Sequence, residues 1–367
     1  MNISVTERQD FLRCRRMWDY ASQNQMGLVP ITPPATALYL GSAVHHALAS
    51  QVNGQDPLEA VKTWCEEESE KLSAAYRSRV GADLSRAERA RLAESRDKAI
   101  AIVRNYFDYY GWKQPLEDEG LEYVAAEVSW RLKIPGTNDG FLAGTFDGLA
   151  VTENSGVWII EHKTYTQANT LEALATDDQM LHYFWAASQL FQEPVIGVLY
   201  DGIAKKLPSV PTRLKSGAMS RARIATNWAT YKRALVEADL DLEEYDDVRE
   251  LLVDRPNPFY KRIRVIFPTS SFACLEQNLA ELYRDMSDPN TSKYPNFRWE
   301  GCWDCSYSDL CKAQQFDGDF DFVRGTQFRR SEGHRTVLTY GKEAQVVKSV
   351  YDLQRSAHDR RIFPDYR

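Results

Sequence analysis

Asp147, Glu161 and Lys163 are the residues of this chain whose types and spacing speak most directly of chemistry. The stretch Gly144-Thr-Phe-Asp147 is followed, after a short turn, by Trp158-Ile-Ile-Glu161-His-Lys163. Residues 140–151 (GFLAGTFDGLAV) and 157–163 are rich in β-formers, and Asn154, Ser155 and Gly156 between them are turn residues, so the pattern predicts a hairpin. A five-residue loop over 152–156 pairs Val151 with Val157 and carries the register outward until Asp147 lies opposite Glu161, about 5 Å away at Cβ. Lys163 then shares the face of Glu161, roughly 6.6 Å further along the strand. Two facing carboxylates repel unless a cation lies between them, and oxygen ligands select a hard ion such as Mg2+ or Mn2+. A lysine beside that ion can orient or help deprotonate an attacking water and stabilise charge on a phosphate, which is the chemistry of phosphodiester hydrolysis. An ordinary hairpin with a solvated polar face carries the same three residues, so further features must decide.

The elements around the hairpin have to position it. Residues 121–134 (LEYVAAEVSWRLKI) read as a strand leading into it, with Glu127 a candidate further acid. Gly41 opens an apolar helical pattern, GSAVHHALASQV, with His45 one turn in; taken alone, His45 reads as a hydrogen-bonded helix histidine. Residues 55–112 predict two long helices broken near Gly81, and 170–192 a helix ended by Pro194. Gln179 and Tyr183 lie four apart and so share a face of that helix. With an apolar strand over 195–200, the order strand, strand, strand, helix, strand predicts an α/β core with mixed strand directions. Residues 204–223 hold Lys205, Lys206, Arg213, Lys215, Arg221 and Arg223 without an acid, an exposed loop suited to phosphate contact or simply a solvated linker. Further helices are expected over 224–253 and 272–286, a basic-faced strand over 259–267, and a basic tail from residue 324 that serves as an arm for DNA or a partner, or docks on the body.

At 367 residues the chain exceeds one compact core of usual size, so a main domain with insertions or a second lobe is expected. Its composition, 43% hydrophobic and 26% charged, is that of a globular protein; no apolar run reaches membrane-spanning length, and the N-terminus lacks a signal-peptide core, from which a cytoplasmic location is expected. A net charge of −7 excludes a uniformly basic coat but not a local basic groove. No GxxxxGK[ST] phosphate loop occurs. Six cysteines in such a chain point to metal ligands, reactive thiols or core residues rather than disulfides. Cys302, Cys305 and Cys311 form CxxCx5C, and Cys14 lies near the other end; these spacings are not those of zinc ribbons or fingers, and four thiolates can hold either zinc or an iron–sulfur cluster. Cys65 and Cys274, in helical patterns, read as packed core residues.

Together, His45 in GxxxH, Asp147 in GxxD, Glu161 and Lys163 in ExK, and Gln179 with Tyr183 in QxxxY resemble the ordered motifs of RecB-like nucleases of the PD-(D/E)xK superfamily. Cys14 with the distant CxxCx5C resembles the iron–sulfur staple of a subset of them, and the basic loop and tail are most similar to stand-alone bacteriophage-encoded members. The resemblance covers roughly residues 10–313. It implies a restriction-endonuclease-like mixed-sheet core flanked by helices, with a helical insertion and a cysteine-cluster staple joining the N- and C-terminal regions. It implies that His45, Asp147, Glu161 and the backbone carbonyl of His162 ligate Mg2+ or Mn2+, that Lys163 positions or activates water, and that Gln179 and Tyr183 contact DNA or hold the site. Lys205, Lys206, Arg213 and Lys215 are the expected loop contacts to DNA. Cys14, Cys302, Cys305 and Cys311 would hold a [4Fe–4S] cluster. Phe146 stands where the superfamily's name has proline, a departure common in the RecB-like branch.

The chain then divides into an N-terminal segment (1–40), a helical region (41–120), a nuclease core (121–203), a basic loop with C-terminal helices and strand (204–300), a cysteine loop (301–315) and a tail (316–367). The expected function is a metal-dependent DNA exonuclease acting on single strands or duplex ends in phage DNA recombination, repair or replication, with a recombination or replication protein as a further partner. A DNA-end-binding accessory module of the same fold is the alternative, against which the intact Asp147, Glu161 and Lys163 count. An RNA-directed nuclease is the third reading.

Overall fold

The computed structural model describes residues 1–31, 36–297, 299–331 and 349–355; most of the basic tail lies outside the described residues. The first strand, β1 (Asn2–Ser4), has no counterpart among the expected elements. It leads into α1 (Val5–Arg13), started by a Ser4–Glu7 capping box, and α2 (Arg15–Ala21); a short strand β2 (Leu28–Pro30) follows. The helical layer is α3 (Thr36–Val52), which begins upstream of Gly41, α4 (Pro57–Val80) and α5 (Arg86–Tyr110). Asp56 caps α4 with Pro57 in its first turn, and Gly81, at φ +74°, ends it where the sequence predicts the break.

The sheet is built next, from β3 (Glu122–Lys133), β4 (Phe141–Val151), β5 (Val157–Tyr165), β6 (Val195–Ala204) and, after a long excursion, β7 (Tyr260–Val265). With β1 it forms a six-stranded sheet ordered β1-β4-β5-β6-β7, with β3 also on β4. The β3–β4, β4–β5 and β6–β7 pairs are antiparallel, while β5–β6 and β1–β4 are parallel, so this is the expected mixed α/β sheet flanked by helices. A parallel pair needs a crossover, here α6 (Leu171–Leu174) and α7 (Asp178–Leu190). The single helix expected over 170–192 is split because Asp177 caps α7 from outside, accepting from the amide of Met180. Likewise 224–253 divides into α8 (Trp228–Glu237) and α9 (Asp246–Val253), parted by a turn at Asp239, which has φ +55°.

α7 and α10 (Phe272–Ser287) pack on one sheet face through Phe184, Trp185, Leu190, Leu275 and Leu279, against Val157, Ile159 and Val198. α3 and α5 pack toward the other, around Val44, Ala47, Val103, Tyr106 and Ile203. Cys65 is buried in this helical layer as expected, but Cys274 is exposed: the apolar stripe of α10 runs through Leu275, Leu279, Leu282 and Met286 and leaves position 274 on the outer side. The rest of the chain returns to the N-terminal region through α11 (Trp299–Trp303), α12 (Ser308–Gln315), α13 (Phe320–Gln327) and β8 (Phe328–Arg330), which pairs with β2.

Candidate active site

β4 is the branching strand. One of its edges is paired with β3 along its length. The other is shared: β1 takes Phe141 to Ala143, and β5 takes Gly148 to Val151, so residues 144–147 have no strand partner on that edge. The expected Val151–Val157 pair is present, but the β4–β5 ladder ends at Gly148–Ile160, one step before Asp147 meets Glu161. The backbones part there, and Asp147 Oδ2 takes the place of a ladder carbonyl, accepting from the amide of His162 at 3.0 Å. Gly144 is required at this branch: a Cβ there would come within 2.5 Å of the Trp130 ring, which stacks on Phe146 with Tyr183 edge-on to both.

Into this gap α3 brings His45, whose Nδ1 lies 3.5 Å from Asp147 Oδ2. Donor atoms of His45, Glu127 and Asp147 all lie within 4.8 Å of one another, an arrangement able to hold a metal ion. Glu127 adopts φ +53°, a strained conformation for a strand residue, in the middle of β3. Burial and the Asp147 charge raise its carboxyl to about 7. Burial disfavours the charge of His45, yet Asp147, Glu161 and Glu127 outweigh it and lift the imidazole to about 9. Burial likewise opposes ionisation of Asp147, but His45, His162 and Lys163 hold it below the ordinary carboxylate value.

Glu161 stands beside this group, 1% exposed. Its Oε1 lies 2.5 Å from Lys163 Nζ and accepts from Gln179 Nε2 at 3.0 Å, while Oε2 is buried without a hydrogen-bond partner. Burial and the Asp147 charge raise its carboxyl to about 7. Lys163 also donates to Gln179 Oε1 at 3.1 Å, and Gln179 Nε2 reaches the Tyr183 hydroxyl at 3.1 Å, so Gln179 binds together three of the expected site residues. Tyr183 is only 7% exposed, which places it under the site rather than on a substrate surface.

The expected loop cations lie in the segment that follows β6. Lys205 follows β6 directly, its amide donating to Tyr165 O, while Lys206, Arg213 and Lys215 are exposed further along. The loop is anchored by a bridge between Arg213 and Met219, the latter buried against Tyr231 and Tyr245. Cys14, Cys302, Cys305 and Cys311 line one cavity of about 580 Å3, closed by Tyr20, Phe297 and Tyr307. Asn296 holds the cavity wall, its amide donating to Cys14 Sγ at 3.4 Å and its side chain to Arg13 O at 2.8 Å.

Sequence reasoning missed the buried polar groups behind β5, namely Asp201, Arg262, Tyr106 and Tyr123. A signal existed, since a charge inside the apolar run Val-Ile-Gly-Val-Leu-Tyr-Asp201 demands a partner.

A family model described as the PD-(D/E)XK nuclease superfamily matches residues 2–312, and the chain belongs to that superfamily. Membership implies a metal-dependent nuclease that uses a divalent cation such as Mg2+ or Mn2+ and has DNA as its substrate. A comparison with curated proteins finds no match. No helix among the described residues is long and apolar enough to cross a membrane.

Proposed function

We propose that this member of the superfamily is a RecB-like DNA exonuclease of the bacteriophage type, acting in DNA recombination, repair or replication. His45, Asp147, Glu161 and the His162 carbonyl hold its cation, with Glu127 alongside. The observation that carries this reading is the divided state of Glu161. Lys163 and Gln179 hold one oxygen, while the other is buried with no donor, a costly condition that a hard cation relieves. The donor set, carboxylates with one imidazole, fits Mg2+ or Mn2+.

A divalent cation bound there would supply Lewis-acid polarisation of the scissile phosphate. The chain's residues do the rest. Lys163 is kept charged, its pKa above the ordinary value because Glu161 and Asp147 outweigh the effect of burial, so it donates to water or to a phosphate oxygen. Gln179 fixes the directions of both Lys163 and Glu161, and Tyr183 fixes Gln179. The loop carrying Lys205, Lys206, Arg213 and Lys215 contacts the phosphate backbone away from the reacting bond.

The four-cysteine cavity, about 580 Å3 in volume, would take a [4Fe–4S] cluster on its thiolates. Its role is structural, since Cys14 lies 288 positions before Cys302 and a cluster would join the two chain ends.

The test is digestion of 5′- or 3′-labelled linear DNA, single- and double-stranded, beside closed circles, with Mn2+. Linear DNA shortened from an end while circles survive supports an exonuclease; cleavage of circles contradicts it, and end binding without degradation favours the accessory module.

A further inference from the structure

His162, between Glu161 and Lys163, points its side chain to the opposite sheet face. Register places it beside Asp201 on β6 and Asp201 beside Arg262 on β7. Asp201 is fully buried and accepts from three groups: His162 Nδ1 at 2.9 Å, the Tyr106 hydroxyl at 2.6 Å and Arg262 Nε at 3.0 Å. Arg262 is itself held by Pro115 O at 2.7 Å and by Asp118. With Nδ1 on Asp201, the other ring nitrogen of His162, Nε2, pairs with the Tyr123 hydroxyl, 3.2 Å away. Tyr123 reaches it by lying across Gly148, where a Cβ would come within 2.8 Å of its ring. A row of polar side chains from β3 to β7 thus ends on both nitrogens of one imidazole, whose ring centre is 6.0 Å from that of His45.

Stability alone does not explain the row, because replacing buried ion pairs by apolar residues is often neutral or stabilising. None of these side chains makes a hydrogen bond to Asp147 or Glu161; the main chain of His162 does, through its amide to Asp147 Oδ2. We propose that Tyr123, Asp201 and Arg262 are positioning residues that lock the His162 peptide, so that its N–H orients Asp147 and its carbonyl stays turned to the cation. This rests on the metal-site reading above.

The test is Mn2+ affinity, from the spin-resonance signal of free Mn2+, with thermal stability measured alongside. Tyr123→Phe and Asp201→Asn should bind Mn2+ about tenfold or more weakly, the usual effect of removing a partner of a ligand. Their half-maximal Mn2+ concentration for cleavage should rise by the same factor. Val103→Ala, a core truncation in the helical layer, should lose stability yet keep wild-type affinity. Wild-type affinity in Tyr123→Phe, which removes one hydroxyl and decides the matter should Asp201→Asn not fold, overturns the row. An equal weakening in Val103→Ala also overturns it. A wild-type protein that binds no Mn2+ overturns the metal reading and this inference together.

Discussion

Gln179 holds Glu161 through a 3.0 Å hydrogen bond from its Nε2, while its other amide atom accepts from Lys163 at 3.1 Å. One neutral side chain therefore sets the separation of the acid and the lysine. Gln179→Leu removes both contacts at similar size. A hydrogen bond to a charged group contributes roughly 1.5–3 kcal/mol, so single-turnover cleavage should fall about 10- to 100-fold. Mn2+ affinity should also weaken, by about tenfold, because Gln179 is a direct hydrogen-bond partner of the ligand Glu161. An unchanged rate would make Gln179 a bystander.

His182, on the same helix, supplies a pH test of stability. It is buried, its Nδ1 bonded to Asp178 O at 2.7 Å, and burial with the nearby Arg8 charge pushes its pKa from 6.5 down to about 3. The folded pKa lies below the unfolded one, so the unfolded chain binds a proton the native state refuses. Stability from this source is therefore complete above about pH 6.5 and falls as the pH drops toward 3. By pH 5 the loss should reach roughly 2 kcal/mol. In His182→Gln that part of the acid sensitivity should vanish; identical slopes of stability against pH in both proteins would contradict the assignment.

The cysteine cavity makes a spectroscopic prediction. Protein purified without oxygen should be brown, with broad absorption near roughly 400 nm and about four irons per chain. Serine at Cys14, Cys302, Cys305 or Cys311 should bleach it, whereas Cys65→Ser and Cys274→Ser should keep the colour. Colourless wild-type protein carrying one zinc would reject the cluster and leave the carboxylate site untouched.

For the basic loop the observable is salt dependence. Neutralising Lys205, Lys206, Arg213 and Lys215 together should weaken DNA binding and reduce the slope of log affinity against log salt by about 0.9 for each lost phosphate contact on duplex DNA. An unchanged slope would show a solvated loop.

Much of the core could be read from local signals. The turn residues at 154–156 and the β-formers beside them set the Val151–Val157 register, and Gly81 marked the end of α4. What could not be read depends on distant partners. The ladder stops before Asp147, whose carboxylate takes the His162 amide in place of a ladder carbonyl, and β1, three residues with no pattern of their own, pairs further along the same edge of β4 at Phe141 to Ala143. The periodicity of 170–192 concealed the cap at Asp177, and the left-handed backbone of Glu127 has no mark in its sequence neighbourhood. Cys274 was misplaced because a cysteine one position from an apolar stripe looks the same in sequence whichever way it faces.

The central claim is that Asp147 and Glu161 hold a cation while Lys163 acts on the substrate. It is tested most directly by measuring, on the same preparations, Mn2+ binding and single-turnover cleavage of end-labelled DNA by wild type, Asp147→Ala and Lys163→Ala. Both variants should lose cleavage by at least about a hundredfold, equivalent to roughly 2.7 kcal/mol of transition-state stabilisation, and only Asp147→Ala should lose Mn2+. Near-normal digestion by either variant at saturating Mn2+ would contradict the account.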